Sequence, residues 1–172
     1  GDKLASYRAL AEALARLPRD GWRLAVVGDG PAHAEVDAAF AEFDDGRIGR
    51  VGAVAPDALP ELYAGADILA WPAINEAYGV ALLEAQAAGL PVVAGRAGGV
   101  ADIVRDGATG LLTPEGDVAA FAAALERLTA DSAARAKMGR NALHVMQAEH
   151  GLAAAAETLD TVLRTVTERR AA

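Results

Sequence analysis

Two carboxylates, Glu76 and Glu84, stand in the alanine-rich stretch NEAYGVALLEAQAAGLPVVAGRAGG, residues 75–99. A helix meant only for burial has no use for either. Eight residues separate them, a little over two helical turns, so both can lie along one side of a helix. A carboxylate accepts paired hydrogen bonds from vicinal hydroxyls, and sugar and ribose rings offer such pairs. Gly79 lets the backbone come close to a ligand where the next helix begins. The first free amides of that helix favour phosphate. One reading is therefore phosphate at the helix start, one carboxylate for a sugar and one for a ribose. The other makes Glu76 a helix cap and Glu84 a solvated charge. The residues alone leave both open.

Other residues offer less. GDGPAH, residues 28–33, starts like a dinucleotide fingerprint with Gly28 and Gly30, but His33 stands where the third glycine is needed. That argues against an oxidoreductase. It leaves a tight strand-to-helix turn, with Pro31 expected at the first helical position, and such a turn can still face a nucleotide. Gly98-Gly99 forms a second glycine turn. His33, His144 and His150 share no ligand spacing, so no metal site is expected from them. Asp67, Trp22 and Trp71 read as structural.

Bulk properties narrow the field. The chain has 172 residues, a net charge of −8 and no cysteine. One domain with a sizeable core is expected. The acidity argues against nucleic acid or anionic lipid as the main partner, so any phosphate site must be local. The lack of cysteine excludes disulfides and thiolate metal sites. No signal peptide or apolar run of spanning length is present, and a cytoplasmic protein is the default expectation.

The elements that must position these residues follow from periodicity. Leu4, Tyr7, Leu10, Leu14 and Leu17 mark a helix over 4–17, ended by Pro18 and Gly21. WRLAVVGDG is a strand running into a turn. Val36, Ala39, Phe40 and Phe43 mark a helix closed by Asp44-Asp45-Gly46. IGRVGAV is a weaker strand, PDALPELYAGA a short helix and DILAWP a strand. Residues 78–88 form the next helix, with Gly89 as its C-terminal cap. PVVAG and GLLT are strands. Asp117 caps a helix through Leu128, and 132–148 and 152–168 are helical. Strands alternating with helices predict an α/β fold, a doubly wound parallel sheet with helices on both faces. Ligands bind beyond the carboxyl ends of such strands, which draws attention to Gly28 to Gly30, Gly52-Ala53, Pro72 to Gly79 and Gly95 to Gly99.

Read together, these residues resemble the donor-binding domain of the retaining glycosyltransferases of the large group 1 family (family 4), which have the GT-B fold. LAVVGDGP looks like the family's strand and loop before its second helix. LYAGADILAWPAINEAYGVALLEAQAAGLPVVAGRAGGVADIVRDGATGLL is similar to its signature region from end to end, including the Glu-x7-Glu motif at Glu76 and Glu84. The resemblance implies that Glu76 contacts the donor sugar at the reaction centre. It implies that the backbone of Ala77, Tyr78, Gly79 and Val80 lines the sugar and diphosphate, and that Glu84 holds the ribose hydroxyls. Gly28, Gly30, Ala53, Gly98 and Gly99 are expected to complete the donor crevice. Lys3 matches the family's diphosphate-gripping lysine, but no arginine precedes it here. Ala73 and Tyr78 replace the family's frequent Ser and Phe, and Arg96 has no assigned role.

The family's domain also opens with a central strand ahead of this lysine and follows an N-terminal acceptor domain. Both are absent, so a fragment of a longer enzyme is expected. The implied activity is transfer of a sugar from a nucleotide-sugar to an acceptor hydroxyl with retention, in glycan, lipopolysaccharide or glycolipid synthesis. The acceptor would bind through the absent domain, as would any membrane. No Asp-x-Asp metal motif is present, so neither metal nor cofactor is expected, the nucleotide-sugar being substrate. A sugar-nucleotide epimerase of GT-B architecture and a non-catalytic nucleotide-binding module are the alternatives.

Overall fold

The computed structural model describes residues 2–43 and 45–171, with side chains described to Thr167. Asp44 of the expected Asp44-Asp45-Gly46 closure lies outside the described residues. In chain order the elements are α1 (Lys3–Leu14), β1 (Leu24–Val27), α2 (His33–Ala39), β2 (Ile48–Gly52), α3 (Leu59–Ala64), β3 (Leu69–Trp71), α4 (Val80–Ala87), β4 (Val92–Arg96), α5 (Val100–Ile103), β5 (Gly110–Pro114), α6 (Val118–Ala130), α7 (Ser132–Glu149) and α8 (Leu152–Ala171). All pairing is parallel, with Leu24 opposite Ile48, Leu69 opposite Val92 and Val93 opposite Leu111. The predicted α/β alternation is therefore present.

The sheet is in two pieces, β1-β2 and β3-β4-β5. The N–H groups of Leu24 and Gly28 donate to Arg47 O and Gly52 O on the β2 side, at 2.9 and 2.8 Å. Ala25 and Val27 between them face the other way, because strand groups alternate in direction. On β3 the Leu69 N–H donates to Pro91 O at 3.0 Å, so Ala70 faces away from β4. Ala25 is exposed, unusual for a strand of a parallel sheet, which is normally covered on both faces. Among the described residues no strand pairs with β1 on the side away from β2 or with β3 on the side away from β4.

Alternate residues of β4 feed opposite faces. Val93 joins a core with Leu10, Leu14, Val26, Phe40, Phe121 and Leu125, from α1, β1, the residue capping α2, and α6. Val92 and Ala94 join a second core with Leu82, Ala85, Val100 and Ile103, from α4 and α5. Helices therefore cover both faces, as patterning requires of a buried parallel strand.

Several boundaries differ from the sequence expectation. The first helix ends at Leu14, and α2 runs only from His33 to Ala39. Pro31 is not its first residue, because the His33 N–H first closes a turn onto Gly30 O at 3.2 Å. Helix α4 starts at Val80 and not at Tyr78, since Gly79 is left-handed (φ 87°). Its end is as expected, with Gly89 and Leu90 donating to Gln86 O and Ala85 O at 3.0 and 2.9 Å, the paired bonds of a Schellman cap. Asp117 accepts from Ala120 N–H at 2.9 Å, and Asp131, an unpredicted cap, does the same for α7. Helix α8 meets the body through α7. Among the described residues, no helix is long and apolar enough to cross a membrane.

Candidate functional site

The loop between β3 and α4 carries Glu76. The Glu76 Oε2 accepts from the Trp71 indole Nε1 at 3.2 Å, while the N-terminus of α4 has no side-chain cap. The helix-capping reading of Glu76 is thereby removed: its carboxylate is turned back toward the end of β3. Trp71, expected only to pack, does both. Its ring stacks edge-on against Tyr7, with centroids 5.4 Å apart, and its N–H orients the acid.

Helix α4 begins at the turn this loop makes. Left-handed Gly79 aims the chain into the helix, and Leu82 N–H closes the first turn on Gly79 O at 2.9 Å. The amides of Val80 and Ala81 are helix-start donors with no intrahelical partner. Tyr78 and Val80 have exposed side chains. One turn on, the exposed Glu84 Oε2 accepts from the Tyr63 hydroxyl at 3.0 Å, so Glu84 is a tethered charge and not a free one. Burial, and then the hydrogen bond to Glu84, push the Tyr63 phenol up to about 12. Its folded pKa lies above the unfolded value of about 10, so its stabilising effect is complete below about pH 10 and is lost as pH rises through 12. Ultraviolet difference titration of the chain against Tyr63→Phe should show this phenol ionising near 12. A titration near 10 would mean that the phenol is neither buried nor bonded to Glu84 as described.

The turn between β4 and α5 closes against the same loop. The Gly99 N–H donates to Ala77 O at 2.9 Å. A Cβ at Gly98 would fall 2.2 Å from Glu76 O and 2.8 Å from Ala77 O, and its φ is +46°. Gly98→Ala is therefore expected to cost more than about 1 kcal/mol, lowering Tm by at least about 2–4 °C. Thermal denaturation measures this, and an unchanged Tm would show that the two loops can part freely. Below the turn, Gln86 of α4 is fully buried and donates from Nε2 to Leu82 O and Ile103 O, each at 3.2 Å. It ties α4 to the far end of α5.

Lys3 is the first residue of α1 and is exposed. The preceding residue, Asp2, donates its N–H to Ile74 O at 2.9 Å, which sets the start of α1 beside the Glu76 loop. The structure therefore brings Glu76, Ala77, Tyr78, Gly79, Val80, Gly98, Gly99 and the helix start bearing Lys3 around one edge, with Glu84 a turn along α4. Gly28, Gly30 and Ala53 belong to the β1-β2 pair, each just past the end of its strand. Arg96 turns to Asp106 at 3.1 Å, and Asp106 also accepts from Leu112 N–H at 2.9 Å. Arg96 thus braces the loop before β5. Among the described residues no group of His, Cys, Asp and Glu side chains is arranged to hold a metal ion.

Sequence reasoning missed Tyr63, Gln86, Ser6 and Glu115, all of which hold this edge together. Their partners are 17 to 68 residues away for the long-range bonds concerned, and no local pattern marks them.

A family model described as "Glycosyl transferases group 1" matches residues 4–131. The D-inositol 3-phosphate glycosyltransferase of Corynebacterium diphtheriae is 37% identical over 164 residues, covering 90% of this chain and 37% of the relative. Sucrose-phosphate synthase from Thermosynechococcus elongatus superposes with a TM-score of 0.83 at 28% identity, over 98% of this chain and 44% of that one. The Anabaena protein HepE, solved in complex with UDP-glucose, superposes with a TM-score of 0.78 at 26% identity, over 91% and 44%. The chain thus spans less than half the length of these relatives.

Proposed function

Because the chain belongs to the group 1 glycosyl transferases and matches one half of proteins with the GT-B fold, we propose that it is the part of its parent enzyme that binds a nucleoside-diphosphate sugar. The parent transfers that sugar to an acceptor hydroxyl with retained anomeric configuration, in glycan, lipopolysaccharide or glycolipid synthesis. The observation that carries the reading is the convergence of Glu76, the free start of α4 and the Gly98-Gly99 turn on one edge.

In this reading the diphosphate lies on the amides of Gly79 and Val80, where the helix dipole favours anions. Lys3 supplies the cation, and Gly98 and Gly99 form the opposite wall. Glu76, its Oε2 held by Trp71, offers Oε1 to sugar hydroxyls. Glu84 lies about 6 Å along the helix from Val80 and takes the ribose, with Tyr63 fixing its rotamer. Gly28, Gly30 and Ala53 line the nucleoside side of the crevice. The HepE complex with UDP-glucose supports a uridine nucleotide as the first donor to test.

No protein nucleophile is assigned. The bond from sugar to diphosphate breaks, the acceptor oxygen attacks from the same face, and the departing phosphate takes the acceptor's proton. The chain's work is electrostatic: amides and Lys3 meet the charge that grows on the leaving group, and Glu76 faces the positive charge that develops on the ring. The acceptor binds to the portion of the parent beyond this chain, so the chain alone should bind nucleotide and turn nothing over.

A thermal-shift panel of nucleoside diphosphates and their sugars tests the reading. A rise in Tm for at least one such diphosphate is expected, with none for the matching nucleoside. No rise with any of them would contradict it. Release of epimerised sugar-nucleotide by the parent without acceptor would favour an epimerase.

A further inference from the structure

The residues just before Glu76 have an uncommon backbone. Ala73 and Asn75 both have positive φ, 57° and 50°. A left-handed conformation costs an L-residue about 1–2 kcal/mol, and asparagine less than alanine. Two such residues within three positions persist only where the surroundings over-determine them. Here they do. Ser6, fully buried on α1, accepts the Ile74 N–H on its Oγ at 2.9 Å and donates its hydroxyl hydrogen bond to Asp2 O at 2.9 Å. The Ile74 carbonyl accepts the Asp2 N–H, also at 2.9 Å. From the end of β5, Glu115 Oε1 accepts the Asn75 N–H at 2.6 Å, a short, charge-assisted bond. Ala73 is fully buried and cannot swing aside. On the far side, Gly98 is packed against Glu76 O.

We propose that Ser6 and Glu115 are positioning residues that hold the Glu76 loop in its left-handed conformation, and so fix where the Glu76 carboxylate stands. The inference rests on the reading of Glu76 as the sugar-side acid, and it adds two residues from outside the Glu-x7-Glu stretch to that site. A carboxylate aimed at a developing charge must be held within about 0.5 Å of its working position. A loop fixed from two elements supplies that. Ser6 acts from α1, whose start also carries Lys3, so one helix sets the acid and the cation together.

Amide hydrogen exchange by NMR on the 172-residue chain tests the brace. Glu115→Ala is expected to speed exchange at Asn75, and also at Ile74, Glu76 and Gly99, to which Glu115 makes no bond, by about tenfold or more. Leu125 and Ala142 in the core should be unchanged. Glu115→Gln keeps the accepting oxygen and should stay near wild type. Ser6→Ala should give the same loop-wide pattern. In an Ala73→Gly/Asn75→Gly background there is no strain to hold, so Glu115→Ala should no longer matter at Ile74, Glu76 and Gly99. A change confined to Asn75, an undiminished effect in the glycine background, or loss of protection throughout α6 with Ser6→Ala would overturn the proposal. Titrating the wild type with UDP reports separately on the donor-site reading. If neither UDP nor any other nucleoside diphosphate binds, that reading fails, and the exchange data still decide the brace.

Discussion

Glu76→Gln in the full-length parent is expected to lower kcat on the order of a hundredfold or more while leaving nucleoside diphosphate affinity nearly unchanged. The substitution preserves shape and removes charge. The Trp71 N–H can still donate to the remaining oxygen, as it does at 3.2 Å to Oε2, and the backbone bonds that fix residues 73–76 do not involve the side chain. In the proposed mechanism, what is lost is the negative charge facing a ring that becomes cationic as its bond to phosphate breaks. An interaction that strengthens on the way to the transition state is read in kcat more than in KM. The nucleotide should not notice, because in the proposed arrangement its phosphates lie on the α4 amides, away from Glu76. Steady-state kinetics with calorimetry of the free diphosphate checks both halves. Near-normal kcat would remove Glu76 from the reaction centre. The helix-cap alternative is already closed, since α4 has no side-chain cap.

Glu84→Ala should do the opposite. Loss of a charged hydrogen bond to the ribose is expected to cost about 1.5–3 kcal/mol, roughly ten- to a hundredfold in affinity, for the diphosphate with or without its sugar. The acid is exposed but not loose, being held by Tyr63 at 3.0 Å. Tyr63→Phe should therefore weaken binding less than Glu84→Ala, since it frees the rotamer and leaves the carboxylate. Calorimetry on the three proteins measures the order. Equal nucleotide affinity in wild type and Glu84→Ala would return Glu84 to an ordinary surface charge.

Much of this was legible in the sequence because it depends on local periodicity. The alternation of strand and helix, the caps at Asp117 and Gly89 and the placing of Glu76 just past a strand all follow from spacings of two to four residues. Boundaries were less so. Tyr78 carries a side chain that a helix accepts, and only the left-handed Gly79 beside it delays α4 to Val80. Helix α5 has four residues, Val100–Ile103, too few for a periodic signal. The break in the sheet follows from which strands pair, a property no single segment encodes.

The site divides the same way. The two acids and two glycine turns are visible because they lie close together in the chain. What holds them is not. Ser6 is one polar residue in an amphipathic helix and meets Ile74 across 68 positions. Glu115 sits in a turn rich in Pro, Gly and Asp and meets Asn75 across 40. The left-handed Ala73 is a residue whose type argues against that conformation, so the strain could be found only in the backbone itself.

The central claim is that the edge formed by the β3–α4 loop, the start of α4 and the Gly98-Gly99 turn receives a nucleoside diphosphate. Its most direct test is a two-dimensional NMR titration of the 172-residue chain with UDP. The predicted result is saturable shifts of the Gly79, Val80, Gly98 and Gly99 amides, with Glu84 following, and none of them at Gln147 or Thr161 on α7 and α8. Shifts confined to those helices, or no saturable shifts with UDP or any other nucleoside diphosphate, would contradict it.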